Sequence, residues 1–135
     1  MERNIKLETQ VDAVVYFIQK LDIDMIDDIL DPSKSYQNFE KPIFIHKLGI
    51  AFSKFIELGN NFLETSKGFC DSEICNYKCS GYSFVGNNSG HYLNLIIDVK
   101  NDLIRDIYEC SEFSLSEDGK KFRNSKRIEI DNFDF

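Results

Sequence analysis

The apolar period changes once along this chain, and that change limits the folds open to it. Up to Gly59 apolar residues recur at steps of three and four; beyond it they alternate. A helix buries one stripe and a strand one face. Separate blocks of the two patterns point to an α+β fold with helices first, not to interleaved βαβ units.

Val11, Val14, Val15, Ile18 and Leu21 predict a helix from Gln10 to Lys20, with Thr9 as its N-cap and Asp12 in the first turn. A second, short helix follows over Leu21, Ile23, Met25, Ile26, Ile29 and Leu30, with Asp24 as cap and Asp31-Pro32 as its stop. Asp22, Asp24, Asp27, Asp28 and Asp31 read as a solvated face, because their spacing lacks the glycine and terminal Glu of a calcium loop. Ser33 to Glu40 forms a turn and a short extended piece around Tyr36 and Phe39. Pro42 then opens the longest helix, with Phe44, Ile45, Leu48, Ala51, Phe52, Phe55 and Ile56 as its stripe and Gly59 just past its end. His46 falls off that stripe and reads as exposed.

Past Gly59, Phe62 to Phe69 reads as a strand, Tyr82 to Gly86 as a second, and Asn87-Asn88-Ser89-Gly90 as the turn after it. The clearest strand sets Leu93, Leu95, Ile97 and Val99 on one face against Tyr92, Asn94, Ile96 and Asp98 on the other. Lys100-Asn101-Asp102 turns the chain, and Leu103 to Leu115 pairs back. A turn at Asp118-Gly119 and a last strand near Lys126 to Ile130 complete the meander. No repeat or linker divides residues 1–135, so one domain is expected, with 1–9 frayed and 131–135 an acidic aromatic tail.

Three helices, a short extended piece before the third, then an antiparallel meander: this order, carried by Val11–Leu30, Pro42–Leu58 and Tyr82–Leu115, resembles the nuclear-transport-factor-2-like superfamily. The resemblance implies a cone-like, cystatin-like architecture in which a curved sheet wraps the long helix around an apolar pocket. It takes in ketosteroid-isomerase-like, polyketide-cyclase-like (SnoaL-like) and scytalone-dehydratase-like enzymes as well as non-catalytic binding domains. No motif carries their acid or base onto a residue of this chain. In such a pocket Tyr16, Tyr82, Tyr92 or Tyr108 with Asp98 or Asp106 would form a proton-transfer set, while core-filling aromatics are the plainer reading.

Cys70, Cys75 and Cys79 place three soft ligands within ten residues, and zinc favours such thiolates. The spacing is not that of paired C-x2-C knuckles. With the turn at Asn88, Cys79 falls opposite Asp98; with the turn at Asn101, Cys110 falls opposite Tyr92. Those ends lie roughly 20 Å apart at ~3.3 Å per residue, so Cys110 is a doubtful fourth ligand. Asp71, Glu73 or water would have to complete the shell. A disulfide or redox-sensitive pair and plain buried thiols stand beside the metal reading. A dyad of His91 with Cys110 is a further arrangement that the register permits.

Charge narrows the partners. With 23 acidic and 16 basic residues the net charge is −7, which repels phosphate backbones and anionic membranes. The basic residues Lys120, Lys121, Arg123, Lys126 and Arg127 sit among acidic ones and read as a solvated hairpin. No run is apolar enough to span a bilayer, and Met1 to Lys6 has no apolar leader core, so a reducing cytoplasm is expected. No nucleotide fingerprint is present, and no bound cofactor beyond zinc is expected.

These features describe a small binding or interaction module with an apolar pocket for a small apolar ligand, or a homodimer through the outer sheet face of Tyr92, Ile96, Ile104 and Tyr108. The alternatives are a pocket isomerase, dehydratase or cyclase, and a zinc-binding or redox-responsive domain on the Cys70–Cys79 loop.

Overall fold

The computed structural model describes residues 9–70, 80–109, 113–115 and 128–130. Helix α1 runs Gln10–Gln19 and α2 Ile23–Ile29; strands β1 (Ser35–Tyr36) and β2 (Phe39–Glu40) make a small hairpin before α3 (Lys41–Glu57). Then come β3 (Leu63–Cys70), β4 (Ser80–Gly86), β5 (Tyr92–Lys100), β6 (Leu103–Glu109) and β7 (Phe113–Leu115). The architecture is α+β, with helices N-terminal to an antiparallel sheet.

Local chemistry sets the helix ends. Thr9 Oγ1 accepts the Asp12 amide at 3.1 Å, as the sequence predicts. At α2 the cap is Asp22, which accepts the Met25 amide at 3.2 Å, and not Asp24, which sits in the first turn. Two aspartates two residues apart look alike to a propensity argument; the φ of 58° at Leu21 breaks the chain one residue before Asp22 and decides between them. Pro42 lies in the first turn of α3, and Gly59 follows that helix at φ 92°.

The main sheet has strand order β6-β5-β4-β3-β7, every neighbour antiparallel. Counting through those steps, β6 and β7 run in the same direction at opposite edges. Only three residues separate Glu109 from Phe113. Across a flat sheet four strand spacings come to about 19 Å, whereas four extended residues reach at most ~14 Å. The sheet therefore coils, so that β6, paired with β5, and β7, paired with β3, come close enough to be joined.

The β4–β5 register, with Gly81 opposite Ile96, is the one the sequence predicts. Between β5 and β6 the register differs from expectation by two residues. One comes from the two-residue turn Asn101–Asp102 (φ 56° and 66°), which pairs Lys100 with Leu103; the other comes from a bulge between Asp98 and Val99. The bulge ends the alternation, so Val99, expected inward, is 40% exposed, while Ile104 joins the core.

One buried cluster joins the helices to one face of the sheet: Val14 and Ile18 of α1, Ile26 of α2, Phe44, Leu48, Phe52 and Phe55 of α3, with Phe84, Leu93, Leu95 and Ile97. Each such side chain contributes roughly 1.5–3 kcal/mol on burial. The hairpin is latched to the sheet edge by Gln37. Its amide donates to Asp106 Oδ1 at 2.9 Å, its Nε2 donates to Glu109 Oε1 at 3.0 Å, and its Oε1 accepts the Glu109 amide at 3.0 Å. Where β6 leaves β5, the Ile128 amide donates to the Tyr92 carbonyl at 2.8 Å, and Glu109 Oε2 accepts the Ile130 amide at 2.7 Å.

That closure corrects the reading of an exposed apolar sheet face. Tyr92, Ile96 and Ile104 are 3%, 2% and 1% exposed within a single chain, and Tyr108 is half-buried. Three of the four side chains on which the homodimer expectation rested are thus buried within one chain.

Candidate functional site

A concave feature among the described residues lies outside the core, where the start of α2 meets the outer face of α3. It has a volume of about 460 Å³. Its floor is Ile23, Ile45, Gly49 and Ile50, and its rim is His46, Ser53, Lys54 and Glu57. On a helix, residues 46, 49, 50, 53, 54 and 57 fall on one face, opposite the stripe that packs inward. Gly49 makes the hollow: a Cβ there would meet Ile23 Cγ1 at 3.7 Å, ordinary contact, so space and not backbone strain is what the glycine supplies. Beside the cleft Ile43 is 46% and Met25 38% exposed, which extends its apolar border.

His46 is exposed as expected, and it borders this cleft. Both acids of the expected proton-transfer set have partners. Asp98 pairs with Arg105 at 2.8 Å, and Asp106 accepts the amides of Gln37 and Ile107. Tyr92 is buried, and Tyr16 lies against Phe17 beneath the Lys20 ammonium. Burial raises the Tyr82 pKa, and the carboxylate of Asp12 on α1 adds to the rise. Both effects keep the phenol protonated. Phe44, Phe52, Phe55 and Phe84, each at most 2% exposed, fill the core between helices and sheet where the resemblance implies a pocket.

The thiol expectation falls mostly beyond view. Cys75, Cys79 and Cys110, with Asp71 and Glu73, lie outside the described residues, as do the Asp118-Gly119 turn, the basic residues 120–127 and the tail 131–135; Cys70 is placed only as the last residue of β3. Among the described residues no three His, Cys, Asp or Glu side chains converge as metal ligands. The acidic run of α2 is spent locally: Asp22 caps, Asp27 pairs with Lys41 at 3.2 Å, and Asp31 accepts from Ser33. No described helix is long and apolar enough to cross a membrane.

His91 has a partner that spacing alone does not reveal. Its Nδ1 lies 2.9 Å from Ser89 Oγ, which also accepts the Asn60 Nδ2–H and the His91 amide. With both lone pairs engaged, the hydroxyl proton is left to point at Nδ1. A serine donating in this way is a turn fastener, not a nucleophile.

Asn60 is the residue that sequence reasoning missed. It is 3% exposed, and its side chain uses every hydrogen-bonding position it has. Oδ1 accepts the amides of Asn88 and Ser89 at 2.8 and 2.9 Å, while Nδ2 donates to the Phe55 carbonyl and Ser89 Oγ at 2.9 Å each. The turn at 87–90, expected from its asparagines and glycine, is thereby bound to the end of α3.

No protein-family model, curated protein or solved structure matches this chain.

Proposed function

We propose that this protein is a small binding module, nuclear-transport-factor-2-like in its element order, which takes an amphiphilic small molecule in the α2–α3 cleft. The observation that carries the reading is the make-up of the cleft: an apolar floor opened by Gly49, with Ser53, Lys54 and His46 on the rim. Ligand sites of a few hundred Å³ combine apolar walls with a few polar groups that set orientation. The apolar body lies over Ile23, Ile45 and Ile50, and a head group accepting hydrogen bonds meets Ser53 and Lys54. The order of helices, hairpin, long helix and coiled sheet supports the family reading. The Phe-filled core favours binding at this outer site over chemistry in a central pocket.

The test is titration with decanoate, and with decanol as the neutral control, followed by backbone amide chemical shifts. Decanoate should perturb Ile23 and residues 45–57, and Lys54→Glu should weaken it about tenfold or more while leaving the unfolding midpoint unchanged. Ser53→Phe, an exposed position, should abolish the response by filling the hollow. Shifts confined to other parts of the chain, or none at millimolar ligand, would end the proposal.

A further inference from the structure

The face of β5 opposite the helical core is buried, yet it is not uniformly apolar. Tyr92, Asn94 and Ile96 alternate with the core residues Leu93, Leu95 and Ile97, and Asn94 is 4% exposed. Directly opposite Asn94 on β4 stands Ser83, at 0% exposure. Among the described residues, Ser83 Oγ and Asn94 Oδ1 have no hydrogen-bond partner. Two orphaned polar atoms side by side are costly, and natural cores rarely keep them without a reason.

The next positions on the same face are Gly81 opposite Ile96, Gly68 opposite Gly81, and Ser66 opposite Ser83. Glycine and serine carry the smallest side chains, and in adjacent strands they suit a tight bend. Cross-strand neighbours have Cβ atoms ~5 Å apart, so one oxygen or nitrogen at ~2.8 Å from each polar atom can sit between them.

The geometry points to a polar binding locus at Ser83 and Asn94, occupied by one neutral O–H or N–H donor group. Asn94 Oδ1 accepts from that group, and the Ser83 hydroxyl, both donor and acceptor, completes its hydrogen bonding. The occupant is neutral, because Tyr92 and Ile96 beside it offer a charge no compensation. Its source is an enclosed water or the hydroxyl or amide of a small ligand, and the chemistry held is the same. This locus is independent of the α2–α3 cleft.

Three measurements on the full chain decide it. Magnetisation transfer from water to the Asn94 side-chain amide reports a long-lived water. The mass of the native protein, compared with the chain alone, reports a retained ligand. The unfolding midpoint of Ser83→Ala reports whether the hydroxyl is used. A filled locus gives either the water signal or an added mass that Ser83→Ala removes, and the variant melts roughly 3–10 °C lower. The first result assigns water and the second a ligand. Absence of both signals in the unaltered protein overturns the inference, whether or not the variant folds. So does a midpoint that rises in Ser83→Ala, since removing a hydroxyl that nothing satisfies is stabilising.

Discussion

Asn60 and Asn94 are both asparagines, 3% and 4% exposed, and they live in opposite circumstances. Asn60 satisfies two donors and two acceptor positions from two segments, the end of α3 and the turn after β4. Asn94 presents a buried carbonyl oxygen with no partner among the described residues. Burial alone therefore says little about whether a polar side chain stabilises; the sign depends on partners. A fully bonded amide fixes one arrangement of helix and turn. An unbonded one is a liability unless something else comes to it. Evidence for function is to be sought at the second kind of position, and evidence for fold at the first.

The sharpest way to break that contrast is to remove the Asn60 side chain. Asn60→Ala strands the Asn88 and Ser89 amides, while the Phe55 carbonyl keeps the Leu58 and Asn60 amides, and should cost about 3–4 kcal/mol in urea unfolding with little change in slope. That is a large share of a typical domain's stability. A loss below ~1 kcal/mol would mean that water replaces these bonds freely and that the knot is ornamental. Gly86 offers a second approach to the same site. A Cβ there would lie 2.5 Å from Asn60 Oδ1, too close to be tolerated. Gly86→Ala should cost about 2 kcal/mol by displacing the amide, and much less in the Asn60→Ala background, where no side chain stands in the way. Additive losses would place the cause in backbone strain instead.

How far the sequence reveals this arrangement depends on the range of the interaction. The helices are legible because their stripes and caps are local, and the β4–β5 register is legible because a turn signal sits between two alternating runs. The bulge at Asp98/Val99 has no compositional mark, and it turned Val99 outward and Ile104 inward against expectation. The run from Leu103 to Leu115 reads as one strand, and in direction it is one. That its end pairs with β3 rather than β5 is a tertiary choice no window of residues encodes. Of the candidate site, His46 was visible as an exposed side chain. The cleft beside it needed Ile23, which is adjacent only after α2 folds across Gly49. Asn60 looked like part of a loop, because its partners in the turn after β4 lie 28 and 29 residues along the chain.

Satisfied polar groups should matter less as water gains access to them. Gln37 is half-buried, and its side chain exchanges two hydrogen bonds with Glu109. Gln37→Ala should cost about 1–2 kcal/mol, clearly less than Asn60→Ala, and should speed amide exchange at Glu109 and Ile130 by releasing the Glu109 carboxylate. Equal losses at Gln37 and Asn60 would dissolve the ranking by burial.

The smallest effect belongs to Asp31, on the solvent-facing turn after α2. The Ser33 amide, then the Ser33 hydroxyl, donate to its carboxylate at 2.9 and 2.8 Å and hold its pKa below the ordinary aspartate value. A lowered folded-state value contributes stability above the unfolded pKa, and the contribution disappears as pH falls through the lowered one. Its effect is thus confined to the acid limb of the stability curve, with none at neutral pH changes. Ser33→Ala removes the hydroxyl bond and leaves the backbone one, so the Asp31 carboxyl resonance should titrate at a higher pH, part of the way back to the ordinary value. A shift all the way back would mean that the backbone amide never held the carboxylate. No shift at all would mean that water replaces the Ser33 hydroxyl bond at this solvent-facing carboxylate.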